Sequence, residues 1–320
     1  MFVVSVVGWG ERGDLSDAEW ERLRPFLPVS NGRCGRWRDH RQVIDGILHR
    51  VRTGVHWRDL PERFGPWKTV YERHRPWSAD GTWERLLQQV QAAADAAGEI
   101  DWDISVDSTI VRAHQHAAGA RIDPPPALAG SKGDDSLEPP GRDSVAEPRR
   151  PVGGGGAGGE GLGRSRGGFT SKIHLSADGR CRPLSLVVTP GQRADCTQFI
   201  PVLEKIRVLR LGLGRPRKKP DSITADKAYS NGPCRQYLRR LATHHTIPEK
   251  ADSRATRLRK GSRGGRPPGF DEERYKKRNT VERAINRLKN FRAVATRYDK
   301  RGYVFLGTVT AAALVIWLRT

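Results

Sequence analysis

The feature that most constrains this chain is a run of strand-like segments near its middle. DISVDSTIVRAH (103–114) alternates apolar and polar residues at the two-residue period of a strand, and FTSKIHLSADGRCRPLSLVVTPG (169–191) supplies two further runs split by an Asp178-Gly179 turn signal. The pattern then changes. CTQFIPVLEKIRVL predicts a helix, DSITADKAYSN a strand ending in a polar loop, GPCRQYLRRLATHH a helix and HTIPEK a short last strand. Three antiparallel-type strands followed by helix and strand in alternation predict a mixed α/β sheet. Between the first two strands, residues 123–168 are almost pure Pro, Gly and charge. Such a composition cannot bury enough apolar area to offset chain entropy, so a disordered insertion is expected there.

Upstream of the sheet, residues 14–98 read as a small all-α domain. Ser16 and Glu19 have the spacing of a capping box, and Trp20, Leu23 and Leu27 share a helical face. RQVIDGILHRVRTG predicts a second amphipathic helix ending at Gly54. A short helix around Trp57–Leu60, a break at Phe64-Gly65-Pro66 and a helix from about Trp67 to Trp77 together look like a helix-turn-helix reader, with Arg63, Lys68, Arg73 and Arg75 on or beside its last element. The plain alternative is a helical bundle with Trp57, Trp67, Trp77 and Trp83 as core. Both hold together if the Trp rings face inward and the cations outward.

The net charge of +21 implies a polyanionic partner, and nucleic acid is the commonest. The excess is localised: residues 201–300 hold 28 Lys and Arg against 10 Asp and Glu. Arg254, Arg257, Arg259, Lys260, Arg263 and Arg266 crowd an Arg/Gly/Pro-rich segment, expected to be a loop whose cations neutralise phosphates. Cys34, Cys181, Cys196 and Cys234 form no C-x-x-C pair, so reduced thiols and a cytoplasmic, nucleoid-associated setting are expected. Residues 1–13 have no basic n-region of a signal peptide and read as unstructured or as a mis-assigned start. The apolar run Phe305–Leu318 is short of the roughly 20 residues that span a bilayer. It predicts a buried terminal helix and no membrane association.

Three carboxylates stand out. Asp107 lies mid-strand, Asp226 ends the strand SITAD, and Glu282 sits among cations in ERYKKRNTVERAINRLKNF (273–291), a stretch read as one helix. On its wheel Tyr275, Arg278, Glu282 and Lys289 fall within a sector of roughly 60°, beside an apolar face of Val281, Ile285 and Leu288. Glu282 could simply pair with Arg278 or Asn286 one turn away. Asp226 could simply cap a turn. Three ionised acids gathered at one sheet edge would instead need cations such as Mg²⁺ between them. His114 and His116, read as i, i+2 on a strand, have no third Cys or His at metal-binding spacing.

Tyr275, two residues, Arg278, three residues, Glu282, six residues, Lys289 resembles the Y-(2)-R-(3)-E-(6)-K signature of DDE transposases from bacterial insertion sequences. VDSTIVRAHQHAAG, TADKAYSN, TIPEK and WRDLPERFGPWKTVYERHRPWSADG are similar to the insertion-sequence-five type, from about residue 14 to the end. The resemblance implies an RNase H-like catalytic domain over 99–320. Asp107, Asp226 and Glu282 would be catalytic and would bind two Mg²⁺ ions, with Mn²⁺ as a substitute. Tyr275, Arg278 and Lys289 would contact double-stranded DNA at the transposon end. Cleavage and strand transfer, with at least a homodimer in the synaptic complex, are the implied activity. The insertion at 123–168 departs from the family pattern. A stand-alone nuclease, or a DNA-binding regulator descended from an inactive transposase, are the other readings.

Overall fold

The computed structural model describes residues 14–28, 39–118, 160–165 and 168–320. The expected start segment 1–13, and residues 123–159 and 166–167 of the expected insertion, lie outside the described residues. Four helices come first: α1 (Asp17–Leu23), α2 (His40–Thr53), α3 (Trp67–Ala79) and α4 (Thr82–Ala96). The capping box forms as the spacing implied, Ser16 and Glu19 exchanging side-chain and backbone bonds. Gly54 ends α2 in the left-handed conformation (φ 71°) that glycine adopts without steric cost.

The sheet follows. β1 (Asp103–Ala113) leads into the single turn α5 (Gln115–Ala118), then β2 (Gly163–Ser165), β3 (Gly168–Ala177) and β4 (Pro183–Pro190). After α6 (Phe199–Glu204) come β5 (Ser222–Ala225), α7 (Gly232–Arg240), β6 (His244–Thr246) and α8 (Ala251–Arg259). The chain closes with α9 (Glu272–Lys276), α10 (Asn279–Lys289), α11 (Arg292–Ala295), β7 (Thr296–Arg297) and α12 (Gly302–Leu318). The strands lie in the order β4-β3-β1-β5-β6, the first two pairings antiparallel and the last two parallel, which is the RNase H-like arrangement. Every residue of β4, and all of β3 beyond Phe169, is buried; successive side chains face opposite sides, so both faces are covered there.

Several expectations are corrected. The last part of the expected insertion is ordered: β2 pairs with β3, and buried Glu160 accepts bonds from Gly302 N (2.5 Å) and Arg301 Nη1 (2.7 Å), tying that segment to the start of α12. Residues 251–259 form a helix, with Gly and Pro concentrated beyond it. α6 is only six residues long, since Val208 leaves to bridge Arg217. His114 follows β1 and His116 lies in α5, so neither is on a strand. The 273–291 helix is two, because Lys277, Arg278, Thr280 and Val281 donate to carbonyls three residues back, tightening the backbone between α9 and α10.

α12 is buried on nearly every side, as the run Phe305–Leu318 implied, and contacts α2, α3, α4, β4, α10 and α11. Among the described residues no helix is long and apolar enough to cross a membrane. Gly307 lets α3 approach: a Cβ there would lie 2.0 Å from Ser78 Oγ. The polar groups between these helices form one chain. Trp83 Nε1 donates to His74 Nδ1 (3.1 Å), His74 Nε2 faces Thr308 Oγ1 (3.2 Å), Thr308 donates to Asp299 (2.9 Å), and Arg50 closes on both oxygens of Asp299 (3.2 and 2.8 Å).

Both Arg50 and Asp299 are almost fully buried, so Arg50→Ala strands an uncompensated carboxylate. It should cost about 3–5 kcal/mol in urea denaturation. Burial also lowers two imidazoles, His74 and His174, from the ordinary 6.5 to about 4. For a base with a depressed folded pKa, the unfolded chain takes the proton first as pH falls. The stability from keeping these rings neutral is therefore full above about pH 6.5 and drains away towards pH 4. Urea midpoints measured from pH 7.5 to 5 should fall, and His174→Gln should flatten part of that slope.

Candidate active site

Asp107 and Asp226 are neighbours by strand register. Val106 pairs with Ala225 in the parallel β1/β5 ladder, so each carboxylate is one residue beyond the last matched position. Asp226 begins the turn at Lys227–Tyr229, its Oδ1 accepting from Lys227 N (2.6 Å). Glu282 lies in the first turn of α10, whose buried Val281, Ala284, Ile285 and Leu288 face the core. The start of that helix is fastened to the sheet by hydroxyls. Thr280 Oγ1 bonds Ser105 Oγ (3.2 Å), which shares a hydrogen bond with Thr224 Oγ1 (2.6 Å). Lys277 Nζ adds an ion pair to Asp103 (3.0 Å), and Asp103 accepts from Ser222 Oγ (2.6 Å).

Arg278 joins the acids. Its Nη2 donates to Asp107 Oδ2 (2.9 Å) and its Nη1 to Glu282 Oε1 (2.8 Å). The i, i+4 pair weighed from sequence is therefore present, and the same guanidinium also crosses to the sheet. Burial raises the Asp107 pKa; the Ser108 N–H and Arg278 oppose the rise, while Asp226 and Glu282 add to it. For Arg278 burial works against the charge, but the two carboxylates override it and its pKa is raised. Tyr275 is half-buried within electrostatic reach of Asp107, Asp226 and Glu282. Lys289 is two turns along α10.

The donor set consists of carboxylate oxygens, the hard ligands that Mg²⁺ and Mn²⁺ prefer, and two of them already converge on one cationic group. Those residues fit a divalent cation in kind. As the side chains stand, however, no group of three His, Cys, Asp or Glu among the described residues is arranged to hold a metal.

The other basic residues singled out from sequence lie away from the three acids, and several have partners of their own. Arg63 pairs with Asp14, exposed Lys68 lies 3.9 Å from Glu72, half-buried Arg73 sits over Trp77 and contacts His40, and Arg75 Nε donates to Tyr303 Oη. On α8, Arg257 makes a two-pronged pair with Glu249 (3.1 and 3.0 Å), while Arg259 and Lys260 are exposed. His114 and His116 meet ring to ring (4.5 Å), and His56 joins them at 5.1 Å from His116, a contact the i, i+2 spacing could not show.

Sequence reasoning also missed a partly buried network next to Asp107. Ser108 Oγ donates to Asp195 (2.6 Å), Lys172 Nζ donates to Asp195 (2.9 Å) and to the Arg193 carbonyl (2.9 Å), and His174 Nδ1 lies 3.8 Å from Asp195. Burial alone would raise the Asp195 pKa, but the bonds from Ser108 and Lys172 bring it below the usual value. The available signal was a lysine in a buried strand, which needs a partner.

Residues 100–317 match the family described as "Transposase DDE domain", and residues 15–87 the one described as "Putative transposase of IS4/5 family". The uncharacterised protein y4sN of Sinorhizobium fredii is 43% identical over 108 residues, which is 33% of this chain and 82% of that protein. The "Putative transposase for insertion sequence element IS6501" of Brucella ovis is 29% identical over 151 residues, 47% of this chain and 100% of the relative. Among solved structures, the "Mos1 transposase paired-end complex with left transposon end" covers 83% of each chain at 11% identity with a TM-score of 0.23.

The Asp195 network yields a stability test. Asp195→Asn removes the charge that compensates the largely buried Lys172 ammonium, leaving it only neutral oxygen partners, and should cost about 2 kcal/mol in urea denaturation, less than a fully buried pair because Asp195 is partly exposed.

Proposed function

The chain belongs to the transposases with a DDE domain, and from that premise we propose that it binds the terminal inverted repeats of an insertion sequence and catalyses strand cleavage and strand transfer at those ends. The observation that carries this reading is the convergence of Asp107 and Glu282, from a central strand and from α10, on one cationic group, with Asp226 at the end of the adjoining strand. Asp107, Asp226 and Glu282 are the proposed ligands of divalent cations, with two Mg²⁺ the expected ions and Mn²⁺ a substitute. Bound there, such ions would make an attacking oxygen more nucleophilic and stabilise the oxygen that leaves phosphorus.

The remaining work falls to the chain's own groups. Thr280, Ser105 and Thr224 fix the start of α10 against the sheet, so Glu282 is held relative to Asp107. Tyr275, Arg278 and Lys289 are proposed to hold the transposon end. Lys68 and Arg75 on α3, and Arg259 and Lys260 on and just beyond α8, present exposed cations for phosphates farther along the duplex. In the proposed reaction, water cleaves the phosphodiester at the element's end, and the freed 3′-hydroxyl then attacks target DNA without a covalent protein intermediate. Pairing two ends calls for at least two subunits, and the expected setting is the cytoplasmic nucleoid.

The test uses labelled duplexes from the gene's flanks with Mg²⁺. Asp107→Asn, Asp226→Asn and Glu282→Gln should each lower cleavage and joining by about 10³-fold or more, roughly 4 kcal/mol of transition-state stabilisation, while end binding survives. Binding should weaken by about 0.9 log units per log unit of salt for each phosphate neutralised. Cleavage without joining by wild type would point to a nuclease. Binding with neither reaction would point to a regulator.

A further inference from the structure

Arg278 bridges two of the three carboxylates proposed as metal ligands. It lies between α9 and α10, at the point where the backbone tightens, and its guanidinium reaches two acids that the sequence separates by 175 positions. Both contacts are charge-assisted bonds of 2.8–2.9 Å, the short and strong class. Its side chain is 19% exposed, so water screens the pairs only in part. The arrangement is also incomplete: Nε is buried without a hydrogen-bond partner.

We propose that Arg278 is an internal placeholder cation, occupying the carboxylate cluster until a divalent metal displaces it. The inference rests on the reading of Asp107, Asp226 and Glu282 as metal ligands, and adds a regulated entry step to it. Three observations support the exchange. The acids need a compensating charge in a partly buried setting, and Arg278 supplies it. Among the described residues no three acids are arranged for a metal while Arg278 holds two of them. A guanidinium also spans two carboxylates in a plane, a geometry that a hexacoordinate cation cannot share with it. Withdrawal would leave both Nη groups and the unsatisfied Nε free to face phosphate, the role proposed for Arg278 above.

The test titrates Mn²⁺ into the full chain without DNA, free Mn²⁺ being read by electron paramagnetic resonance. Because a competitor is lost, Arg278→Gln should bind Mn²⁺ about tenfold more tightly than wild type. Lys289→Gln removes an equal charge from the far end of α10, two turns beyond Glu282, and should change affinity less than about twofold. Arg278→Lys keeps the charge but not the planar fork and should gain about threefold; it carries the test if Arg278→Gln fails to fold. Should Arg278→Gln or Arg278→Lys bind no more tightly than wild type while Asp107→Asn and Glu282→Gln abolish binding, the placeholder idea fails and the metal site stands. Equal gains in Arg278→Gln and Lys289→Gln would reduce the effect to a general field and overturn it as well. Mn²⁺ binding unaffected by Asp107→Asn and Glu282→Gln would sink the site itself.

Discussion

A helix that is apolar all round can exist in water only if something encloses it, and α12 imposes that condition on the whole chain. Fully burying each of its large side chains contributes about 1.5–3 kcal/mol, so leaving even a few exposed would consume much of a domain's net stability. The enclosure comes from both ends of the sequence: α2, α3 and α4 on one side, β4, α10 and α11 on others. One apolar cluster therefore runs from Leu15 to Leu318, across the proposed boundary between a helical domain and the catalytic domain. Thr308 is polar in the midst of this cluster, and the chain of bonds from Trp83 to Arg50 answers it.

The candidate site inherits its geometry from that packing. α10 lies against β1, β3 and α12, so the apolar face that buries it also fixes which turn looks along the sheet edge. Hydroxyls at Thr280, Ser105 and Thr224 then set the position of that turn over the strands, a short-range lock that an apolar face alone would not give. Glu282 is exposed and Asp107 half-buried, so the two acids meet at the margin of the core, where charge is tolerated and solvent can still enter.

Much of this was legible in sequence because it is local. Alternation in DISVDSTIVRAH and the Asp178-Gly179 signal mark β1 and the β3/β4 hairpin, and the capping box marks α1. What escaped depends on partners distant in the chain. Nothing near residue 160 indicates that Glu160 would be buried at the start of α12, 142 positions away. The α9/α10 break lacks Gly or Pro; it arises from backbone bonds that shorten by one residue while α10 keeps its seat on the sheet. Lys172 and Asp195 meet only after β3 and the loop following β4 have folded together. The helix at 251–259 was masked by its composition, since a segment rich in Arg with Gly and Pro close behind resembles a loop until its ends are known.

The relation between Arg278 and Glu282 shows how a structural and a functional account of one contact can both be true. Taken by itself, an i, i+4 Arg–Glu pair on a helix surface is worth only about 0.2–0.5 kcal/mol and needs no purpose. The strand adds the second carboxylate, and with it the pair becomes one arm of a bridge from α10 to β1. A bridge of that kind lowers the repulsion between acids that must stay close, and it holds them near one another before any outside cation arrives. On the proposed reading, the strength of this bridge is what a divalent cation would have to overcome, so the contacts that make the acid pair tolerable in the folded chain would also set how readily a metal enters.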